Sequence, residues 1–298
     1  MKIAIYGAGG VGGYFGARLA AAGNEVHFIA RGAHLEALRR DGLKVESSAG
    51  DVHLKAPHVH AGPQGVGAVD VVMFCVKLWD VEAAAASVKP LLREGTKVIP
   101  FQNGIESPGM LRKALGEKHV LPGVAYIATG VRKPGVIAHT GTMERLLVGE
   151  GAGEFVAACK AAGINIEESR DIERARWEKF VFLVGLSGVT ALSRQPVGVC
   201  RSDPELRATF EAAMTETWRL GRKRGIALPD DFIAGRMKFV DGLHADMRTS
   251  MQHDLENGRP LEAPWLCGAV ARMSAESALD APVNRTIYAA MRPYVAGR

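Results

Sequence analysis

Lys179 is the residue whose setting most invites chemistry. It lies in Arg174-Ala-Arg-Trp-Glu-Lys-Phe-Val-Phe-Leu-Val-Gly-Leu-Ser187, four and eight residues before Leu183 and Ser187. On a helix these three share one largely apolar stripe. A lysine held against an apolar face and turned to a cleft loses hydration, which lowers its pKa and suits it to proton transfer. The competing reading is a lysine snorkelling at a helix rim. Glu262, in Arg259-Pro-Leu-Glu-Ala-Pro-Trp265, stands where a helix begins. A glutamate there ordinarily serves the cap and the helix dipole. Ser250 and Asp254 lie just upstream, and His244, Asp246 and His253 lack the spacing of a helical metal pair, so they read as surface polar residues.

A second set of residues suits an anionic ligand. Gly7, Gly9 and Gly12 form G-x-G-x-x-G directly after the apolar run Ile3 to Tyr6, with Gly10 and Val11 between them and Ala17, Leu19 and Ala20 continuing at helical spacing. The first glycine makes the tight turn, the second lets a pyrophosphate approach the backbone, and the third packs helix on strand. Free N–H groups at the helix start then hold the anion. A tight turn that binds nothing is the alternative. The apolar strand Glu25 to Ala30 follows where a βαβ unit puts it, and it ends at Arg31, with no acid until Glu36. An acid at that strand end serves the ribose 2′-hydroxyl of NAD, whereas an arginine accommodates a 2′-phosphate, so NADP(H) is the better reading. Lys77 ends the continuous apolar run Val69 to Val76, and Asn103 ends the next strand. Ligands of open α/β sheets bind beyond the carboxyl ends of the strands, which places both at the crevice. Asn103 also reads as a plain turn asparagine before Gly104.

These positions require a scaffold, and the chain is long enough for one. With 298 residues, 47% of them hydrophobic, it suits one large or two ordinary globular domains. No run approaches a membrane span, and the first strand starts at residue 3, so a cytoplasmic protein is expected. Cys75, Cys159, Cys200 and Cys267 are scattered, which argues against a disulfide framework and a zinc site. A net charge of +5 suits an anionic ligand but is too mild to imply nucleic acid. The basic group Arg219, Arg222, Lys223 and Arg224 is explained by a helix C-terminus.

The pattern along the chain predicts an α/β protein: a doubly wound, Rossmann-type domain over residues 1–168, then an all-α domain over 169–298, with the active site between them. Within the first, Ala33 to Arg40 reads as a helix and Leu43 to His60 as a small antiparallel excursion on the sheet carrying solvated His53, His58 and His60. Val81 to Leu92 reads as a helix, and Val120 to Val148 as three short strands on the sheet edge, parted at Lys133-Pro-Gly135 and His139-Thr-Gly141. Gly153 to Ala162 and Ile164 to Glu167 close the domain as helix and strand. Helices are predicted over Ile172 to Leu192, Pro204 to Gly225, Asp230 to Met251, Ala263 to Leu279 and Arg285 to Tyr294, with prolines between them.

Over essentially its whole length the chain resembles the ketopantoate reductase family (2-dehydropantoate 2-reductase). The likeness rests on the glycine turn, Arg31, Val76-Lys-Leu-Trp79, Asn103-Gly104, Trp177-Glu-Lys179, and the late Ser250-Met-Gln-His-Asp254 with Glu262. It implies NADPH-dependent reduction of a 2-keto acid, with Lys179 as general acid and Glu262 holding the substrate's distal hydroxyl. It also implies that Lys77 and Asn103 contact the cofactor, Asn103 lying near the substrate too, and that the substrate region includes Leu183, Ser187, Met247 and Ser250. Members commonly carry asparagines at the positions of Leu183, Ser187 and Met247, so a different, less polar keto acid is a second expectation. A non-catalytic NADP(H)-binding sensor is a third, disfavoured because binding alone needs neither Lys179 nor Glu262. No metal is expected, nor a nucleic-acid or membrane partner. A homodimer is left open.

Overall fold

The computed structural model describes residues 1–298 and divides into two compact units, Met1–Gln102 with Glu106–Ile172, and Asn103–Ile105 with Glu173–Arg298. The first unit runs β1 (Lys2–Tyr6), α1 (Gly10–Ala21), β2 (Glu25–Ile29), α2 (Gly32–Asp41), β3 (Leu43–Glu46), β4 (Val52–Leu54), β5 (His58–His60), β6 (Val71–Phe74), α3 (Val81–Ser87), β7 (Lys97–Pro100), α4 (Ser107–Leu115), β8 (Gly123–Lys133), β9 (Val136–Gly149), α5 (Gly153–Ala161) and β10 (Ile166–Ser169). Its first sheet is wholly parallel, in the order β5-β2-β1-β6-β7. All four residues of β6 are buried, as a strand covered on both faces should be. This is the doubly wound, Rossmann-type architecture that the βαβ pattern predicts.

A second sheet, β10-β9-β3-β4 with β8 on β9, departs from the sequence reading. Leu43 to His60 does not stay on one sheet: β3 and β4 pair antiparallel in the second, while β5 joins the first, parallel to β2. Nor is Val120 to Val148 an edge meander of three strands. It is one long hairpin, with Gly141 inside β9 rather than at a turn. Helix α1 lies between the two sheets, and its glycines permit this. A Cβ on Gly12 or Gly16 would strike Ile5 at 2.8 and 2.7 Å, whereas one on Gly13 would strike Ile137 at 2.8 Å. One core therefore gathers Tyr14, Phe15 and Leu19 with Ile3 and Phe28 of the first sheet and Val45, Leu146 and Ile166 of the second.

The second unit is helical: α6 (Ile172–Ser193), α7 (Val197–Ser202), α8 (Pro204–Lys223), α9 (Phe232–Asp241), α10 (Ser250–Glu256), α11 (Cys267–Glu276) and α12 (Pro282–Met291). Helix α6 is its centre, burying Phe180, Val181, Val184, Leu186 and Val189, and Gly185 lets it lie against Phe210 and Met214 of α8. A helix apolar on most sides belongs in a core. Two details differ from the reading. The short α7 was not foreseen, and the helix expected over Asp230 to Met251 breaks after Asp241. There the backbone N–H groups of Val197 and Gly198 donate to Met247 O (2.9 Å) and Ala245 O (2.8 Å), so α7 takes carbonyls that a continuous helix would use itself.

No helix is long and apolar enough to cross a membrane. The four cysteines are free, and burial pushes the Cys159 and Cys267 thiols up to about 12. The histidine reading needs one correction. His53 and His58 are exposed, but His60 is half-buried and within 3.0 Å of the buried His27, which meets Glu25 at 2.8 Å.

Candidate active site

In the first unit the glycine turn is built as its spacing requires. Gly7 has φ +104°, and a Cβ there would lie 2.8 Å from the backbone of Cys75 and Val76, just past β6. A Cβ on Gly12 would fall 2.2 Å from Gly7 O, so the helix start and the turn touch through bare backbone. A Cβ on Gly10 would meet Thr129 O of β8 at 2.8 Å, whereas one on Gly9 would meet nothing within 4 Å. The space is therefore at Gly9, in front of the first turn of α1. There the N–H groups of Gly10, Val11 and Gly12 have no intrahelical acceptor. The N–H groups of Gly7 and Ala8 both donate to Ile29 O, at 3.2 and 3.1 Å, fastening the turn to the end of β2.

A cavity of about 430 Å³ opens on this turn and on Arg31, Lys77 and Asp80. It falls in the usual range for a small-molecule site. Arg31 is the residue just before α2, its side chain is 73% exposed, and its Nη2 donates to Asp80 Oδ2 at 2.6 Å. Exposed Lys77 lies with Nζ 5.4 Å from the centre of the Trp79 ring. His34, on the same cavity, escaped the sequence reading. Its Nε2–H donates to Ala8 O (2.8 Å) and its Nδ1 accepts from Gly135 N (3.1 Å), joining the glycine turn to the β8–β9 hairpin. Burial holds its pKa below the usual histidine range, and the neutral ring is the form that can both donate and accept here. The only hint in the sequence was its place three residues after Arg31.

In the second unit Lys179 sits on α6, half-buried as a residue, with Nζ donating to Asn103 Oδ1 at 2.9 Å. Burial of the ammonium lowers its pKa from 10.5 to about 8, and the negative charge of Glu262 opposes that fall. Glu262 is itself buried and makes no side-chain cap for the 3-10 turn that follows it (Ala263–Trp265). Both bland alternatives for this pair therefore fail: the lysine is not at a solvated rim and the glutamate is not a cap. Asn103 belongs to this unit because the segment Asn103–Ile105 is pinned to α6 twice, by Lys179 and by Arg176, whose Nη2 donates to Ile105 O. Buried Arg176, held by both oxygens of Glu173 at 2.7 Å, was also missed. Gly104, at φ +82°, makes the turn that presents Asn103.

Leu183 is half-buried and Ser187 buried, one and two turns along α6 from Lys179. Met247, half-buried, lies within the break after α9, and Ser250, exposed, starts α10 at its end. Thr249 caps α10 and lies 2.9 Å from Thr190 Oγ1, which brings this stretch beside the Ser187 end of α6. No group of three His, Cys, Asp or Glu side chains is arranged to hold a metal ion.

A parallel sheet with a nucleotide-type glycine turn, followed by a helical unit built around a desolvated lysine, defines a two-unit nicotinamide-nucleotide oxidoreductase. Comparison with known proteins gives the particular kind. The chain belongs to the ketopantoate reductase family: the profile described as ketopantoate reductase PanE/ApbA matches residues 3–153, and that of its C-terminal domain matches residues 171–295. It is an NADP-dependent oxidoreductase acting on a CH–OH group. Among its relatives is a Bacillus subtilis protein described as an uncharacterized oxidoreductase, YkpB, 31% identical over 99% of each chain. A 2-dehydropantoate 2-reductase of Mesorhizobium japonicum is 29% identical over 92% of this chain and 91% of its own. The crystal structure of a PanE/ApbA family ketopantoate reductase from Ralstonia eutropha superposes with a TM-score of 0.92 at 32% identity, covering 99% of this chain and 98% of that one.

Proposed function

We propose that this protein reduces 2-dehydropantoate to pantoate with NADPH, Lys179 serving as the general acid. The observation that carries the reading is the Lys179 ammonium, desolvated to a pKa of about 8 beside Asn103 and Glu262. A proton donor works best when its pKa lies near the working pH, and an ordinary lysine is too weak an acid for that. The names of the relatives supply the substrate, since several are 2-dehydropantoate 2-reductases.

The residues present fit the cofactor. The bare backbone at Gly7, Gly9 and Gly12, the unpaired N–H groups of Gly10 and Val11, and the guanidinium of Arg31 suit a pyrophosphate and a 2′-phosphate, and Lys77 adds a second cation. Bound NADPH supplies the hydride that reduces the ketone carbon. As negative charge gathers on the carbonyl oxygen, Lys179 stabilises it and gives up its Nζ proton to form the hydroxyl. Asn103 holds the ammonium in place and contacts both cofactor and substrate. Glu262 keeps Lys179 protonated and accepts the hydroxyl at the far end of the substrate. Ser187 and Ser250 offer further hydroxyls to it.

A second reading is favoured by Leu183, a half-buried apolar side chain one turn from the proton donor, and by Met247. They suit a bulkier, less polar 2-keto acid. The test is NADPH oxidation against a panel of 2-keto acids. The proposal expects the highest kcat/KM for ketopantoate. A clear win for an aromatic or long aliphatic keto acid selects the second reading, and NADPH binding with no reduction of any acid leaves only a sensor.

A further inference from the structure

The nucleotide cavity carries an acid at the place where an NADP site gains least from one. Asp80 Oδ2 takes the Arg31 guanidinium at 2.6 Å, and both residues line the cavity at Gly7 and Gly9. Asp80 is also the residue before α3, a position where aspartate normally accepts hydrogen bonds from its own helix's first N–H groups. It makes no such bond. Its side chain is only 26% exposed, so the carboxylate is neither capping its helix nor turned out to water but directed at Arg31.

We infer that Asp80 is a specificity-determining residue for the nucleotide: it competes with a 2′-phosphate for Arg31 and so narrows the preference for NADPH over NADH. The inference rests on the reading of Arg31 as the 2′-phosphate partner. The cavity's charged side chains are Arg31, Lys77 and Asp80. A 2′-phosphate must draw Arg31 away from Asp80, or share the guanidinium and bear the repulsion of a neighbouring carboxylate. An unphosphorylated ribose carries no charge for Asp80 to repel. Asp80 therefore costs NADPH more than NADH.

The test is Asp80→Asn, which removes the charge and keeps the shape. Dissociation constants of NADPH and NADH are measured on the full chain by fluorescence titration, with 2′,5′-ADP and 5′-AMP as probes of the 2′-phosphate alone, and thermal unfolding checks the fold. With the Arg31 side chain largely in water, the pair is worth up to about 1 kcal/mol, about fivefold, and the removed repulsion adds to it. The NADPH-over-NADH affinity ratio should rise about five- to tenfold, the 2′,5′-ADP-over-5′-AMP ratio should follow, and both gains should shrink at high salt. A ratio that stays put, or falls because NADPH alone weakens, means that Asp80 only props Arg31 and overturns the inference. Arg31→Ala separates the two readings. If it leaves the wild-type ratio unchanged, the Arg31 reading fails first; if it collapses the ratio while Asp80→Asn does nothing, only the role given to Asp80 is lost.

Discussion

The pKa of Lys179 turns the proposed mechanism into a pH profile. With a pKa of about 8, roughly nine-tenths of the lysine is protonated near pH 7 and roughly a tenth near pH 9. A general acid acts only while protonated, so kcat for keto-acid reduction should be level below that pKa and fall about tenfold per pH unit above it. Two opposing effects set the value: burial lowers it from 10.5, and the Glu262 charge raises it again. Glu262→Gln should therefore move the falling limb to lower pH. Lys179→Arg keeps a cation but replaces the acid with one that does not deprotonate, so turnover should drop and the limb should vanish. Lys179→Ala should cut kcat by roughly 10²–10⁴ with NADPH affinity little changed. The assay is steady-state NADPH oxidation from pH 6 to 10, with cofactor affinity from a separate titration. A wild-type profile flat to pH 10, or near-normal turnover in Lys179→Ala, would refute the assignment.

Three further outcomes are expected. Gly12→Ala forces a Cβ to within 2.2 Å of Gly7 O, so it should lower the thermal midpoint and lose nucleotide binding together, whereas Gly9→Ala, with open space around it, should keep the midpoint and weaken binding only; equal midpoints for the two would contradict the packing described. Arg31→Ala should weaken NADPH more than NADH by roughly ten- to a hundredfold, the worth of a hydrogen bond to a charged group, and equal losses would return the choice of cofactor to question. Leu183→Asn should raise kcat/KM for ketopantoate by about fivefold if the second substrate reading holds, one hydrogen bond being worth on the order of 1 kcal/mol; an efficient native enzyme with no gain from the change supports the pantoate assignment.

The glycine turn was legible because its demands are local. Turn, close approach and helix contact all lie within six residues of Gly7, and each glycine's role could be read from spacing. The second use of the same helix was not. Gly10, Gly13 and Gly16 make α1 thin enough to lie between two sheets, but the residues they meet, Thr129 and Ile137 on one side and Phe28 on the other, are not neighbours in the chain. Helical period marks a helix without telling what covers its far face. Gly141 misled for a related reason. Its positive φ is a turn signal, yet β9 pairs with β8 on either side of it, and the ladder absorbs the irregularity.

Lys179 and Glu262 show where sequence reasoning reaches its limit and why. Spacing put the lysine on an apolar stripe, and from there a snorkelled and a desolvated ammonium were equally good readings. What decides between them is burial of the ammonium, which donates to Asn103, 76 residues earlier, and feels the opposing charge of Glu262 well downstream.

The region proposed for the substrate, around Met247 and Ser250, is more remote still from local signals. A continuous helix over Asp230 to Met251 would have used the carbonyls of Ala245 and Met247 for its own ladder. Instead those carbonyls accept from Gly198 and Val197, the helix stops at Asp241, and a new one starts at Ser250. That break is what frees Thr249 to cap α10 and meet Thr190, setting Met247 and Ser250 beside the Ser187 end of α6. Periodicity could not foresee the break, because the carbonyls within it accept from the short helix α7, which periodicity also failed to register. Residues around such a break are fixed by tertiary hydrogen bonds rather than by helical propensity. Met247 is held here through its backbone carbonyl, which accepts from Val197 N, so under the proposed reading a change of its side chain would alter the surface offered to a substrate without removing the backbone bond that holds the segment.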